Sequence, residues 1–266
     1  MKYFSKQRQE NFFNVRIKSS GGEFTPAQFG AIQTLAEILG AKRIRLTSRQ
    51  EISVPFIEEK NLSNVENFCA AHGLELCPLG ATLKTVTACQ GSEICRSGLI
   101  DAPKIARELE RRHNEKILPT KFLIGVTGCP NNCMRVDMND IGIVGAVKPI
   151  RGELCNFCGA CAKICPVNAL TVDREKNLWA ITETCRHCGR CFKVCPKDLR
   201  GEVGYKIYFC GEELLPVVDE TRLYEIVDAT LEFFAEHAHR GERPKNFLKR
   251  IGVDEFLKKL RLGNNV

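Results

Sequence analysis

Apolar and polar positions partly alternate over Asn11-Phe12-Phe13-Asn14-Val15-Arg16-Ile17-Lys18, and the period predicts a strand over 11–18. Gly21-Gly22 turns the chain. Phe29, Ile32, Leu35, Ala36 and Leu39 then recur at helical spacing behind Thr25 as N-cap and Pro26 at the first helical position, and Gly40 ends the helix. Residues 43–47 and 51–56 read as two further strands, and Asn61-Leu62-Ser63 starts a second helix ending near Gly73. Strand, helix, two strands and helix make a small α+β unit of ferredoxin-like type. Further on, 83–89 predicts a strand and Asp101-Ala102-Pro103 opens a helix through Ile105, Leu109 and Arg111-Arg112. A strand over 118–127 follows. A strand is expected over 205–209, and a helix over 220–237 carries Leu223, Ile226, Val227, Leu231 and Phe234 on one face. A loop over 240–244 and a short helix over 253–260 close the pattern.

Composition changes this picture in one respect. The chain has 266 residues and 15 cysteines. The first ten residues lack the apolar segment of a signal peptide, and no apolar run approaches the length of a membrane span. A cytoplasmic location is therefore expected, where thiols stay reduced and cysteine clusters hold metal. Cys69, Cys77 and Cys210 have no partner at ligand spacing and read as small buried hydrophobes. The formal charge is +7, but Lys and Arg do not run together interleaved with aromatics, so nucleic acid is not expected as a partner.

The other twelve cysteines fall into three sets. Cys89 and Cys95 form C-x5-C, and Cys129 and Cys133 form C-x3-C. Four thiolates on two short loops can surround one [4Fe–4S] cluster, which takes soft sulfur ligands. Gly91, Gly128, Asn131 and Asn132 give the backbone freedom for such loops, and Pro130 stiffens the second. The spacing is not that of a zinc knuckle. Over 150–200 a different module appears, with C-x2-C-x2-C-x3-C-P at 155–166 and again at 185–196. This is the two-cluster ferredoxin pattern, in which the fourth cysteine of each run ligates the other cluster. Cys155, Cys158, Cys161 and Cys195 thus form one set, and Cys185, Cys188, Cys191 and Cys165 the other. His187 reads as a neighbour of the ligands. The module carries nine Lys and Arg against five Asp and Glu.

The Thr87–Cys133 motifs resemble the cluster-binding signature of sirohaem-dependent sulfite and nitrite reductases. The resemblance implies that Cys133 bridges cluster and sirohaem, with Thr87, Gln90, Asn131 and Asn132 around the cofactor. Thr47-Ser48-Arg49-Gln50 resembles the family's Thr-x-Arg-Gln, which assigns Arg49 to the sirohaem and its bound anion. Leu118-Pro119-Thr120-Lys121-Phe122-Leu123 resembles Leu-Pro-x-Lys-Phe-Lys, so Lys121 matches one anion-binding lysine and Leu123 departs from the other. A further family arginine falls near Lys84 or Thr85. Glu212 and Glu213 stand where the family tends to be basic. The tail, with Arg240-Gly241-Glu242-Arg243, resembles dissimilatory-type and anaerobic sulfite reductase subunits.

The expected fold is α+β: a ferredoxin-like lobe over 1–78, a sirohaem and [4Fe–4S] lobe over 79–149 and 201–266, and an inserted two-[4Fe–4S] ferredoxin domain over 150–200. The implied function is reduction of sulfite to sulfide, with Arg49, Lys121 and Lys84 as anion-binding cations, sirohaem and three [4Fe–4S] clusters as cofactors, and electrons from a donor protein or subunit. Nitrite reduction, or an electron-transfer subunit with a degenerate sirohaem site, are the alternatives. Positive charge suits a carboxylate-rich tetrapyrrole, a small oxyanion and an acidic electron carrier alike. The family's site lies between two half-copies and this chain has one, so a homodimer or dimer-based oligomer is expected. In it, Arg49 and Lys121 of one chain would face the sirohaem of the other; a related subunit could take the second place.

Overall fold

The computed structural model describes residues 1–197 and 199–260. A short strand β1 (Ser5–Lys6) precedes β2 (Phe12–Ile17), in which the expected alternation holds, with Phe13, Val15 and Ile17 buried. Helix α1 (Pro26–Ile38) starts in a capping box: Thr25 accepts from the Gln28 amide and the Gln28 side chain accepts from the Thr25 amide. Its core face is Ala31, Ile32 and Leu35; Phe29, expected on that face, is half exposed and meets Phe24 edge-on instead. Strands β3 (Arg45–Leu46) and β4 (Ile52–Glu58) and helix α2 (Leu62–Ala71) follow. The sheet order is β1-β2-β4-β3, all antiparallel. Leu76 bridges Ile17 on the edge of β2 away from β4, in the place of the last strand of a ferredoxin-like sheet.

The second lobe holds β5 (Thr87–Ala88), α3 (Gly91–Ile94), α4 (Ala102–His113), β6 (Ile124–Thr127) and β7 (Ile141–Arg151). These three strands are parallel neighbours. Strands β5 and β6 are shorter than the 83–89 and 118–127 expected. Upstream of them only the isolated bridges Thr82 to Ile117 and Leu83 to Phe122 form, and Pro119 has no amide to continue a ladder. After an excursion made of α5 (Ala160–Lys163), β8 (Leu170–Asp173), β9 (Leu178–Ile181) and α6 (Arg190–Val194), the chain returns as β10 (Leu199–Phe209). This strand pairs antiparallel with β7 from Phe209 against Ile141 to Leu199 against Arg151, and β11 (Glu212–Val218) completes the sheet in the order β11-β10-β7-β6-β5. Strands β8 and β9 form their own antiparallel pair.

Helices α7 (Glu220–His237), α8 (Pro244–Ile251) and α9 (Val253–Lys259) cover this sheet. Leu223, Ile226, Val227, Leu231 and Phe234 are buried as the pattern required. Phe209 stacks on Phe256 with centroids 4.8 Å apart, and Phe234 meets Phe247 edge-on at 5.2 Å, so aromatic packing closes the core.

Parallel strands β5, β6 and β7 all end on the same side of the sheet. Cys89 and Cys129 follow the ends of β5 and β6, and the excursion over 152–198 leaves from the end of β7. Ligands in open α/β sheets bind beyond the carboxyl ends of parallel strands.

Candidate functional site

A cleft of about 300 Å³ opens at that end of the sheet, and Cys89, Cys95, Cys129 and Cys133 all line it. Cys89 follows β5, Cys95 ends α3, and Cys129 and Cys133 flank the turn after β6. The Gly128 amide donates to Cys89 Sγ at 3.0 Å and the Gly91 amide at 3.5 Å, contacts that fix the sulfur in place. Burial raises the Cys129 thiol, the neighbouring Cys133, Cys89 and Cys95 add to the rise, and the Asn131 amide opposes it. Among the described residues no three Cys, His, Asp or Glu side chains draw together around a single ion. The four thiols line one cleft, and a set of four soft sulfur donors suits a [4Fe–4S] cluster.

Close backbone packing builds the cleft wall. Gly91 has φ +66°, and a Cβ there would stand 2.6 Å from the Ala102 amide nitrogen. Gly145 in β7 lets the Gly128 carbonyl approach where any side chain would collide. Asp101 caps α4 by accepting from the Lys104 amide at 2.9 Å, which fixes the Ile100–Ala102 segment against Gly91.

Of the residues assigned to the cofactor, Gln90 and Asn131 line the cleft. Asn132 lies outside it and closes the turn instead: its amide donates to Asp137 and its oxygen accepts from the Val136 amide. Thr87 is buried within β5.

The cations expected to bind the anion are not brought to this cleft. The Arg49 guanidinium donates to Asn139 Oδ1 at 2.7 Å, to the Ile124 carbonyl at 2.8 Å and to the Thr85 carbonyl, tying the first lobe to β5 and β6. A planar fork meets three fixed acceptors there, so Arg49 acts as an interlobe clamp within the chain. Half-buried Lys84 donates to the Pro78 carbonyl at 2.7 Å and to Thr82 Oγ1 at 3.0 Å. Lys121 is exposed ahead of β6, at the end opposite the cysteines. Strand β6 alone sets roughly 10 Å between them. Arg243 joins Lys121 there, donating to its carbonyl at 3.1 Å. Thr85 is buried, donating to Glu51 at 2.8 Å, and the Leu123 amide donates to Asp140 at 2.8 Å. Glu213 pairs with Lys206 at 2.9 Å on the β10–β11 hairpin.

One cleft residue escaped sequence reasoning. Gln50, beside Arg49 with φ +60°, donates to the Ala88 carbonyl at 2.7 Å and accepts from the Ala88 amide at 2.8 Å. It thereby closes the edge of β5 next to Cys89. Gly22, read only as a turn, gives Gln50 room: a Cβ there would stand 2.8 Å from its Nε2.

In the excursion, Cys155, Cys158, Cys161 and Cys195 line one pocket, with Trp179 and Phe157. This is the set that crossed ligation predicts. Cys185, Cys188 and Cys191 do not line that pocket. Cys188 and Cys129 line one groove, and Cys185 lines another with Pro130 and Asn132. Arg186 donates to the Pro130 carbonyl at 3.1 Å and Lys193 to the Arg96 carbonyl at 2.7 Å, which seats this half against the cysteine loops. Cys165 accepts from the Ala169 amide at 3.2 Å. Cys69 and Cys77 are buried and Cys210 is partly buried; burial raises all three thiols, as expected of packing residues.

Comparison with known proteins bears on both lobes. The family description "Nitrite/Sulfite reductase ferredoxin-like half domain" matches residues 5–72, and "Nitrite and sulphite reductase 4Fe-4S domain" matches 79–265. The chain is 31% identical over 269 residues to the coenzyme F420-dependent sulfite reductase of Methanocaldococcus jannaschii, covering 96% of this chain and 43% of that protein. It is 32% identical over 197 residues to one of the subunits of the anaerobic sulfite reductase of Salmonella typhimurium, covering 67% of this chain and 56% of that one. The chain thus spans about half the length of these relatives. A crystal structure of dissimilatory sulfite reductase I superposes with a TM-score of 0.73 at 19% identity, covering 94% of this chain and 69% of that one.

Proposed function

The chain belongs to the nitrite and sulphite reductase family, and from that premise we propose that it is a sirohaem-dependent reductase converting sulfite to sulfide. The observation that carries the reading is the convergence of Cys89, Cys95, Cys129 and Cys133 on one cleft at the carboxyl ends of β5 and β6. Sulfite is preferred to nitrite because the relatives from Methanocaldococcus jannaschii and Salmonella typhimurium are both sulfite reductase proteins.

In this reading the four cleft cysteines would hold a [4Fe–4S] cluster, and exposed Cys133 is the candidate to hold the sirohaem as well. Gln90 and Asn131 form the rim. Gln50 and the Gly128 amide keep Cys89 in place. Cys155, Cys158, Cys161 and Cys195 hold a second cluster, and Cys185, Cys188, Cys191 and Cys165 a third. When bound, these groups supply the multi-electron reduction, and the protein supplies binding, orientation and charge. The groove lined by both Cys188 and Cys129 favours electron delivery from the 152–198 excursion, read as an inserted ferredoxin domain, to the cleft.

The anion needs cations that the cleft's own chain does not bring to it. Exposed Lys121, with Arg243 beside it, lies at the opposite end of β6. A two-fold pairing of chains, or a related subunit, would carry such a basic end to the cleft of its neighbour. The anchoring of Arg49 on three protein acceptors favours a second reading, an electron-relay subunit whose tetrapyrrole site does not turn over.

The test is anaerobic reduction of sulfite and of nitrite with an artificial low-potential donor. Sulfide formed from sulfite is the expected result. Turnover of neither anion would replace the reductase by the relay.

A further inference from the structure

The two halves of the 152–198 excursion face different surroundings. Cys191 is buried, and Cys185 and Cys188 lie in grooves shared with the Cys129 loop. Cys158, in the other set, is exposed. Its pocket is bordered by Arg151 and Lys197, with the Arg151 guanidinium 5.4 Å from the centroid of the Phe157 ring. Among the described residues, no carboxylate lines that pocket. Leu154, between pocket-lining Gly152 and Cys155, is 70% exposed.

These features belong together. Leu154, next to exposed Glu153, is an exposed apolar side chain on the segment that leads into this pocket; with an exposed thiol and two cations lining the pocket, it suits a brief encounter between proteins. Such redox encounters are small and steered by opposite charge, so that electrons pass quickly and the partners separate. Over residues 150–200, nine Lys and Arg stand against five Asp and Glu, and this balance sets the sign of the partner. Arg186 and Lys193, cations of the inner half, are tied to carbonyls of the second lobe and so belong to the seat.

We infer that the face formed by Leu154, Arg151, Lys197 and the Cys158 loop is the docking surface for an acidic one-electron carrier protein. Each encounter oxidises the carrier by one electron and reduces the excursion by one, with no bond made or broken. The inference rests on the reading that the excursion holds clusters.

The test uses the full-length, cluster-loaded chain and, as probe, a pre-reduced acidic [4Fe–4S] ferredoxin in anaerobic stopped flow. Its oxidation is followed without sulfite. Arg151→Glu/Lys197→Glu is expected to lower the bimolecular rate at low ionic strength about tenfold or more, and the difference should shrink as salt is added. Leu154→Ser should slow transfer at every salt concentration. Reduction by dithionite, which needs no docking, should be unchanged in both. Equal rates for wild type and the charge-reversed protein overturn the inference. So does an equal loss in Lys249→Glu/Lys258→Glu, which reverses exposed charge on α8 and α9. Should charge reversal disturb dithionite reduction, Arg151→Gln/Lys197→Gln decides: a smaller salt-dependent slowing supports the surface, and an unchanged rate refutes it. A wild-type chain whose excursion carries no reducible clusters would instead refute the cofactor reading above.

Discussion

Arg49 shows how a residue named correctly by its surroundings can still do something else in the fold. The Thr47–Gln50 segment marked a functional turn, and the turn does abut the cleft, but through Gln50. Arg49 joins the lobes through Thr85, Ile124 and Asn139. Arg49→Ala should therefore lower stability by on the order of 2–3 kcal/mol, because it strands buried acceptors. Arg49→Lys should recover only part, since an ammonium cannot copy the fork. Denaturant unfolding measures this; a variant of full stability that binds anion poorly would restore the anion role. Glu110 offers a second test. Burial lifts its carboxyl from the ordinary 4.5 to about 7, while Lys18 and the Val86 amide pull it down. The folded chain therefore holds more protons than the unfolded chain between those values, and stability must fall as pH rises through that window. Glu110→Gln should remove that slope, changing the difference between variant and wild type by on the order of 3 kcal/mol across it. Parallel slopes for the two proteins would contradict the assignment.

At the scale of elements, the signals that could be read were those made locally. The cap at Thr25, the start of α4 at Asp101 and the apolar face of α7 were visible because their partners lie close by in the chain. Strand β7 was not expected. Its run Ile141-Gly142-Ile143-Val144-Gly145-Ala146-Val147 is buried on both faces, so it has no alternation to betray it. Helix α8 was not expected; Pro244, placed at the end of the loop over 240–244, occupies a first-turn position where its missing amide costs nothing. That Cys89, Cys95, Cys129 and Cys133 share one cleft, and Cys155, Cys158, Cys161 and Cys195 one pocket, was legible from spacing, since the loops are short. The direction of Arg49, Lys84 and Lys121 depends on tertiary contacts between lobes and was not. Gly91→Ala tests the loop that carries Cys89 and Cys95. With φ +66° and the Ala102 amide nitrogen 2.6 Å from the added Cβ, the loop must shift. Loss of about a third of the cluster iron, with the 152–198 excursion still loaded, is expected from iron and sulfide analysis. Unchanged iron would mean that the loop geometry is not what holds the cleft cluster.

For the whole molecule, the thiol cleft lies at one end of the parallel strands and exposed Lys121 at the other. No helix among the described residues is long and apolar enough to cross a membrane. If copies of the chain complete one another, mixing Cys133→Ser chains with Lys121→Ala chains should restore part of the activity that each lacks. No recovery after verified subunit exchange would point to a different partner or a self-sufficient chain. All of this depends on the occupant of the cleft. The most direct measurement is an anaerobic absorbance spectrum of the purified chain, with iron and acid-labile sulfide counted on the same sample. One tetrapyrrole per chain and iron for three cubane clusters are predicted. Iron for two clusters with no tetrapyrrole band would contradict the assignment of Cys89, Cys95, Cys129 and Cys133.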